Sequence, residues 1–232
     1  MTATDQAPDG RHGPHVLVTD VDTPRLADDD RHHLERVLRL RAGDPLTVGD
    51  GAGAWRPCRL GTEPEPLDRV HHVPRPQPAI GVGFALIKGG RPELVVQKLT
   101  ELGVDRIMPF TAARSVVRWD AAKATKNAER LRRVAREAVM QSRRAWLPTV
   151  EEIVDFATIA AGPVALAERD GGQVSLAQPV VLVGPEGGWA DEERDRGLPT
   201  VRLGDGVLRA ETAAIAAGTL LADARLRAAA PN

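Results

Sequence analysis

The stretch VVLVGPEGGWADEE, Val180 to Glu193, runs four apolar residues straight into Gly184, Pro185, Glu186, Gly187 and Gly188. A plain turn needs fewer glycines than this. Glycine has no Cβ, so main-chain N–H and C=O groups there can touch a ligand directly. A second stretch, LGDGVLRAETAAIAAG from Leu203, turns on Gly204, Asp205 and Gly206 and brings Leu208, Arg209, Glu211 and Thr212 to a helix start. A third, AERDGG from Ala167, closes another apolar run. Backbone groups in such loops can read a purine without many charged side chains. Arg209 and Glu211 would add a cation and a carboxylate at the mouth of the site, suited to charge that develops on a substrate. Glu211 read on its own is equally a first-turn helix acid paired with an arginine.

Loops can converge in this way only if parallel strands place them on one edge, since ligands bind outside the C-terminal ends of such strands. VALAE (Val164–Glu168), VVLVG (Val180–Gly184) and TVRLG (Thr200–Gly204) are predicted strands that end in the three loops. AIGVGFALI (Ala79–Ile87) reads as a strand buried on both faces, and RIMPF as the next one. RPELVVQKLTELGVD is predicted as a helix with Leu94, Val95, Leu99 and Leu102 inward and Gly103 as its C-cap. Asp120 to Arg144 reads as a long helix rich in Ala and Arg, and a last helix runs roughly from Glu211 to Arg227. Alternating strands and helices make this part α/β with a mostly parallel sheet.

The chain before it is different. HVLVTDVD (His15–Asp22) is predicted as a strand. In DDDRHHLERVLRLRAGD, Asp28, Asp29 and Asp30 supply an N-cap and first-turn acids, and Leu34, Val37 and Leu38 an apolar stripe. PLTVGDGAGAWRPCRLG reads as two short strands joined by a Gly-Asp-Gly turn. A small β-rich domain with a linker at VPRPQP (Val73–Pro78) follows from this. The boundary is drawn as 1–74 and 75–232.

Charge singles out the middle of the chain. Residues 79–150 hold 14 Lys and Arg against 6 Asp and Glu, in a protein whose net charge is −1. A clustered basic surface of this kind fits a polyanion. Lys123, Lys126, Arg130, Arg132, Arg133, Arg136, Arg143 and Arg144 lie on or near one helix, several at i, i+3 and i+4 spacing. A P-loop is excluded, because no GxxxxGK[ST] occurs. KGGRPE (Lys88–Glu93) is too short for a dinucleotide fingerprint. The single cysteine, Cys58, rules out an intramolecular disulfide and a cysteine-based zinc site, and the six histidines are scattered before residue 73. No metal site is expected. The N-terminus has no signal-like block and no apolar run reaches the roughly 18 residues of a membrane span. A cytoplasmic protein without a membrane partner is expected.

Taken in order, RHHLERVLRLRAGD, QKLTELGVDRIMPFTAARSVV, EAVMQSRRAWLP, GPEGG with its acidic helix start, and LG-x-x-VLRAETA resemble the SPOUT-type RNA methyltransferases. Within that superfamily the chain is similar to the ribosomal RNA small-subunit methyltransferase E family, over nearly its whole length. It departs from the common pattern at Trp189, Gly206 and Met140.

The resemblance implies a SPOUT-type sheet with a deep trefoil knot, preceded by a small PUA-like β-barrel domain that helps to hold RNA. It implies a homodimer that uses S-adenosyl-L-methionine to methylate N3 of one specific uridine in the 16S ribosomal RNA of the 30S subunit. The sibling possibilities are an enzyme of the same superfamily acting on transfer RNA and a non-catalytic assembly factor. By analogy the cofactor would be held by Leu166, Ala167 and Glu168, by Gly184 to Gly188, and by Leu203, Gly204, Leu208, Arg209 and Thr212. Arg209, Glu211 and Arg114 are the expected catalytic residues. Arg31, His32, Arg39, Lys88, Lys98, Arg114, Arg133, Arg136, Arg143 and Arg144 are expected at the RNA.

Overall fold

The computed structural model describes residues 6–229. The chain divides into two compact units. One holds the residues up to Arg75 together with Arg136–Leu147, the other Pro76–Ala135 and the residues from Pro148 onward.

In the first unit β1 (His15–Leu17), α1 (Asp28–His32), β2 (Pro45–Gly49), β3 (Ala54–Arg59), β4 (Glu65–Pro66) and β5 (His71–His72) follow in order. β1 lies parallel to β2, while β2, β3 and β4 are antiparallel neighbours and β5 joins β3. The β2–β3 hairpin forms as expected, and Asp50 closes its turn by accepting from the Ala52 and Ala54 N–H groups at 2.7 and 3.0 Å.

The helix differs from expectation. Asp28, Asp29 and Asp30 form its first turn, while the N-cap is Ala27, with no side-chain cap. His33–Val37 then takes a π-helical turn. Such a turn makes i to i+5 bonds, here from Leu38 N–H to the His33 carbonyl at 3.0 Å, and rotates later residues off the α-helical spacing. Leu34 is therefore buried while Val37 and Leu38 stay exposed. Asp30 is buried because both its oxygens accept from Arg136, at 2.9 and 2.7 Å.

The rest of the chain continues as β6 (Gly81–Ala85), α2 (Arg91–Leu102), β7 (Arg106–Thr111), α3 (Ala121–Ser142), β8 (Thr149–Val150), β9 (Val154–Asp155), α4 (Phe156–Ile159), β10 (Ala165–Gln173), β11 (Val180–Val183), α5 (Asp191–Arg194), β12 (Thr200–Arg202) and α6 (Ala210–Ala229). From Arg136 on, α3 belongs to the first unit. The seven strands are all parallel, in the order β12-β10-β11-β6-β7-β8 with β9 also on β7. Every residue of β6, near the centre, is buried. That accounts for the unbroken apolar run in its sequence. One core joins sheet residues such as Val82 and Phe84 to Val95 and Leu99 of α2, Leu131 of α3 and Leu221 of α6. A second gathers Met108, Phe110, Phe156, Leu182 and Trp189.

Helix α2 buries Pro92, Val95, Val96, Leu99 and Thr100 and ends on Gly103. Leu94, expected inward, is exposed. It falls outside the stripe set by residues 92, 95, 96 and 99, and Val96 faces the core instead, as the helical period requires. Among the described residues no helix is long and apolar enough to cross a membrane.

Candidate active site

β11, β10 and β12 are successive parallel neighbours, so the segments at their C-terminal ends share one edge. The segment belonging to β10 is not a simple loop. Ala167 and Gly172 both face Val201, so the residues between them leave the ladder as a bulge and the strand resumes to Gln173. AERDGG, expected as a loop beyond a strand end, is this bulge.

A cavity of about 230 Å³ opens between the three segments. Ala167, Glu168 and Arg169 line it from the bulge, and Val183, Gly184, Pro185, Glu186, Gly188, Trp189 and Arg194 from the segment after β11. Leu203, Gly204, Gly206, Val207, Leu208, Ala210 and Ala213 complete it. Nine of the residues expected at a cofactor therefore meet around one space: Ala167, Glu168, Gly184, Pro185, Glu186, Gly188, Leu203, Gly204 and Leu208. Four lie elsewhere. Leu166 is buried in the second core, Gly187 faces Arg114, and Arg209 and Thr212 are exposed near the start of α6.

The glycine loop is shaped from behind by Trp189, which is buried and stacks on Phe110 with ring centroids 6.1 Å apart and planes 4° from parallel. Its indole N–H donates to the Ala167 carbonyl at 3.1 Å and ties the loop to the bulge. A side chain at Gly184 would run into the indole ring. Gly188 has φ 71°, a conformation that disfavours any residue with a Cβ. So the glycines answer first to the packing of their own loop.

Charged groups hold the loop from outside. Arg114 donates to the Gly187 carbonyl at 3.4 Å and lies 3.9 Å from Asp191. Glu193 is buried and accepts from Ala113 N–H at 2.8 Å and Ala190 N–H at 2.9 Å, joining the segment after β7 to the start of α5. Within the cleft Arg194 pairs with Glu168 at 2.9 Å, and that carboxylate raises the Arg194 pKa above its ordinary value. Glu211 pairs with Arg91, 3.7 Å away, and not with Arg209. Sequence reasoning missed Arg91, Arg169, Glu193 and Arg194, and met Trp189 only as a departure from the family pattern. The signal for Arg91 was its place in KGGRPE, directly after another strand of the same sheet.

The residues expected at RNA separate into committed and open ones. In the first unit Arg31 donates to the Gly61 and Thr62 carbonyls, Arg136 holds Asp30 and the Leu17 carbonyl, and Arg143 donates to the Gly13 carbonyl. Those guanidinium groups are engaged within their own unit, so fewer of the expected basic residues stand open than the sequence pattern alone indicates. Asp30 raises the Arg136 pKa further by its hydrogen bond. His32 and Arg39 are exposed, and Arg144 is half-buried. In the second unit Lys98 pairs with Glu101 at 2.9 Å, Arg130 with Glu93 at 3.1 Å and Arg132 with Glu152 at 2.6 Å. Lys88, Lys123, Lys126 and Arg133 are exposed.

Comparison with known proteins places this geometry. Residues 74–222 match the family model of the RNA methyltransferase domain, and residues 26–64 that of the RNA methyltransferase PUA domain. A ribosomal RNA small subunit methyltransferase E of Mycobacterium bovis is 36% identical over 215 residues, covering 82% of this chain and 82% of that protein. The Bacillus subtilis protein of the same name is 30% identical over 228 residues, covering 84% and 88%. The crystal structure of a ribosomal RNA small subunit methyltransferase E from Neisseria gonorrhoeae, bound to S-adenosyl methionine, superposes with a TM-score of 0.75 at 30% identity, covering 90% of this chain and 96% of that one.

Proposed function

The chain belongs to the ribosomal RNA small subunit methyltransferase E family, and we propose that it transfers a methyl group from S-adenosylmethionine to N3 of one specific uridine in the 16S ribosomal RNA of the 30S subunit. The observation that carries this reading is the cleft itself, enclosed by three segments at the ends of neighbouring parallel strands.

The residues present fit the cofactor. Val183, Leu203, Leu208, Ala210 and Ala213 offer an apolar surface for an adenine ring. The glycine loop and Gly204–Gly206 offer main-chain groups, and a Cβ at Gly204 or Gly206 would meet nothing within 4 Å, so the space beside them is open. Glu168, Arg169, Glu186 and Arg194 are the charged groups available to the polar parts of such a ligand. The bound cofactor supplies a methyl group already activated on a sulfonium centre.

N3 of uracil carries a weakly acidic proton that must pass to a base or to solvent water before or as N3 attacks the methyl carbon, and S-adenosylhomocysteine leaves as the S–CH3 bond breaks. In this reading Arg209, exposed and without a side-chain partner among the described residues, steadies the negative charge on uracil O2 or O4. Arg114, beside the glycine loop, is the second cation for that task. Glu211 sets the first turn of α6, from whose start Arg209 projects. Lys88, Lys123, Lys126 and Arg133 meet phosphates, which contribute affinity and salt dependence rather than sequence choice. The target uridine must be unstacked to reach the cleft. The same reading takes the three segments as the crossings of a trefoil knot, consistent with the strand order β12-β10-β11-β6. It takes the molecule as a homodimer, supported by exposed apolar residues such as Leu226 of α6.

The test is methyl transfer from labelled S-adenosylmethionine to 30S subunits that lack the modification, followed by nucleoside mass spectrometry. N3-methyluridine supports the proposal. A methyl on a ribose oxygen, or transfer to transfer RNA alone, overturns the substrate. Cofactor binding without transfer to any RNA favours an assembly factor.

A further inference from the structure

Arg91 opens α2 directly beyond β6, and its guanidinium meets carboxylates from two other segments of the sheet edge. Nη1 lies 3.0 Å from Glu186 Oε1, and Nε lies 3.7 Å from Glu211 Oε1. Glu186 belongs to the glycine loop and lines the cleft. Glu211 stands two residues after Arg209, in the first turn of α6. In the order β12-β10-β11-β6, the arginine thus reaches from the end of β6 past β11 to the segment that follows β12.

The connection matters because the main chain does not make it. Among the described backbone hydrogen bonds outside helices and strands, none joins residues 184–188 to residues 203–211. The bond nearest the glycine loop's tip is local, from Gly188 N–H to the Pro185 carbonyl. Glu211 depends on the arginine in a second way. Its other oxygen, Oε2, is buried and has no hydrogen-bond partner. A largely buried carboxylate with one open oxygen holds its place through its counter-ion. A guanidinium is suited to this, because its planar fork can face two carboxylates at fixed angles, whereas an ammonium is a single point of charge.

We infer that Arg91 is a positioning residue that holds the glycine loop and the first turn of α6 in register, so that the cofactor cleft and Arg209 face one substrate. The inference rests on the methyltransferase reading above. Its two arms have different consequences. The Glu186 arm shapes the cleft wall and acts on cofactor binding. The Glu211 arm sets the helix start that carries Arg209 and acts on turnover.

The experiment measures S-adenosylmethionine binding by calorimetry and methyl transfer to unmodified 30S subunits, for the wild-type chain and for Arg91→Ala, Arg91→Lys, Glu186→Gln and Glu211→Gln. Arg91→Ala is expected to weaken cofactor binding about tenfold and lower kcat about tenfold, within the range that a small misplacement costs. Glu186→Gln should reproduce chiefly the binding loss, and Glu211→Gln chiefly the loss in kcat. Arg91→Lys should recover only part of either. The thermal midpoint should stay within about 2 °C of wild type for Glu186→Gln, whose ion pair is exposed, so its binding loss is read apart from any loss of fold. Binding and kcat within about twofold of wild type in Arg91→Ala, a change of under 0.5 kcal/mol, would overturn the inference. So would losses that simply follow a falling thermal midpoint. Wild-type cofactor binding without RNA methylation would count against the activity reading alone, because the binding loss in Arg91→Ala and Glu186→Gln still decides the role of Arg91. A wild-type chain that binds no cofactor would overturn both.

Discussion

A Cβ on Gly184 would stand 2.9 Å from Cε2 of Trp189, so the first glycine of the loop and the tryptophan behind it fill one space between them. Trp189 is pinned by its stacking on Phe110 and by its bond to the Ala167 carbonyl, and has little room to retreat. Gly184→Ala should therefore destabilise the protein by about 1–3 kcal/mol, the usual cost of overpacking. Trp189→Phe presents a smaller ring, with more room to shift, and should recover some of that loss in the double variant. Urea melts of the two single variants and the double one provide the check, and strictly additive effects would defeat the packing account.

Arg209 is exposed and its side chain has no partner among the described residues, so its removal should not be felt in the fold. Arg209→Ala should leave the thermal midpoint and cofactor affinity near wild type and lower kcat by about 100-fold, the scale of a lost charge stabiliser. A loss confined to cofactor affinity would reassign Arg209 from the substrate to the cofactor.

Arg136 and Arg133 sit on one helix and should behave as opposites. Arg136 is committed to Asp30, whose carboxylate is buried, and to the Leu17 carbonyl. Arg136→Ala should cost about 3 kcal/mol or more of stability, because it strands that charge. Arg133 is exposed, and Arg133→Ala should change stability by less than about 0.5 kcal/mol. It should instead weaken RNA binding and reduce the slope of log affinity against log salt by about one. Thermal melts and a salt titration of 30S binding separate the two.

His15 is buried against Thr47, and burial, helped by the charge of Arg143, lowers its pKa from 6.5 to about 4. The folded state thus favours the neutral ring, while the unfolded state takes up the proton at its ordinary value. This contribution is complete above about pH 6.5 and is lost as pH falls toward 4. Its full size is about 3 kcal/mol. Thermal midpoints measured down that window should fall for the wild type and fall less steeply for His15→Gln. Parallel pH profiles would show that the ring does not titrate in this way.

Much of the second unit was legible because its signals are local. A continuous apolar run marks a strand buried on both faces, and strand, glycine loop and helix in succession mark the ligand edge of a parallel sheet. Gly103 at the end of α2 and the Asp50 turn between β2 and β3 obey chemistry contained within a few residues. The failures were also physical. The π-turn at His33–Val37 shifted the helical period and exposed Val37 and Leu38. The AERDGG segment became a bulge because β10 continues alongside β12, a pairing that local sequence does not carry.

The sequence by itself determined the parallel α/β sheet, the three segments at its ligand edge and the family pattern that runs through them, since each depends on neighbours along the chain. Only the tertiary structure decided which charges are free. Arg136 is taken by Asp30, 106 residues away in sequence, and Arg91 meets Glu186 across 95 residues. Whether an arginine faces solvent or a buried carboxylate depends on which distant segment folds against it, and composition records the charge without recording its partner.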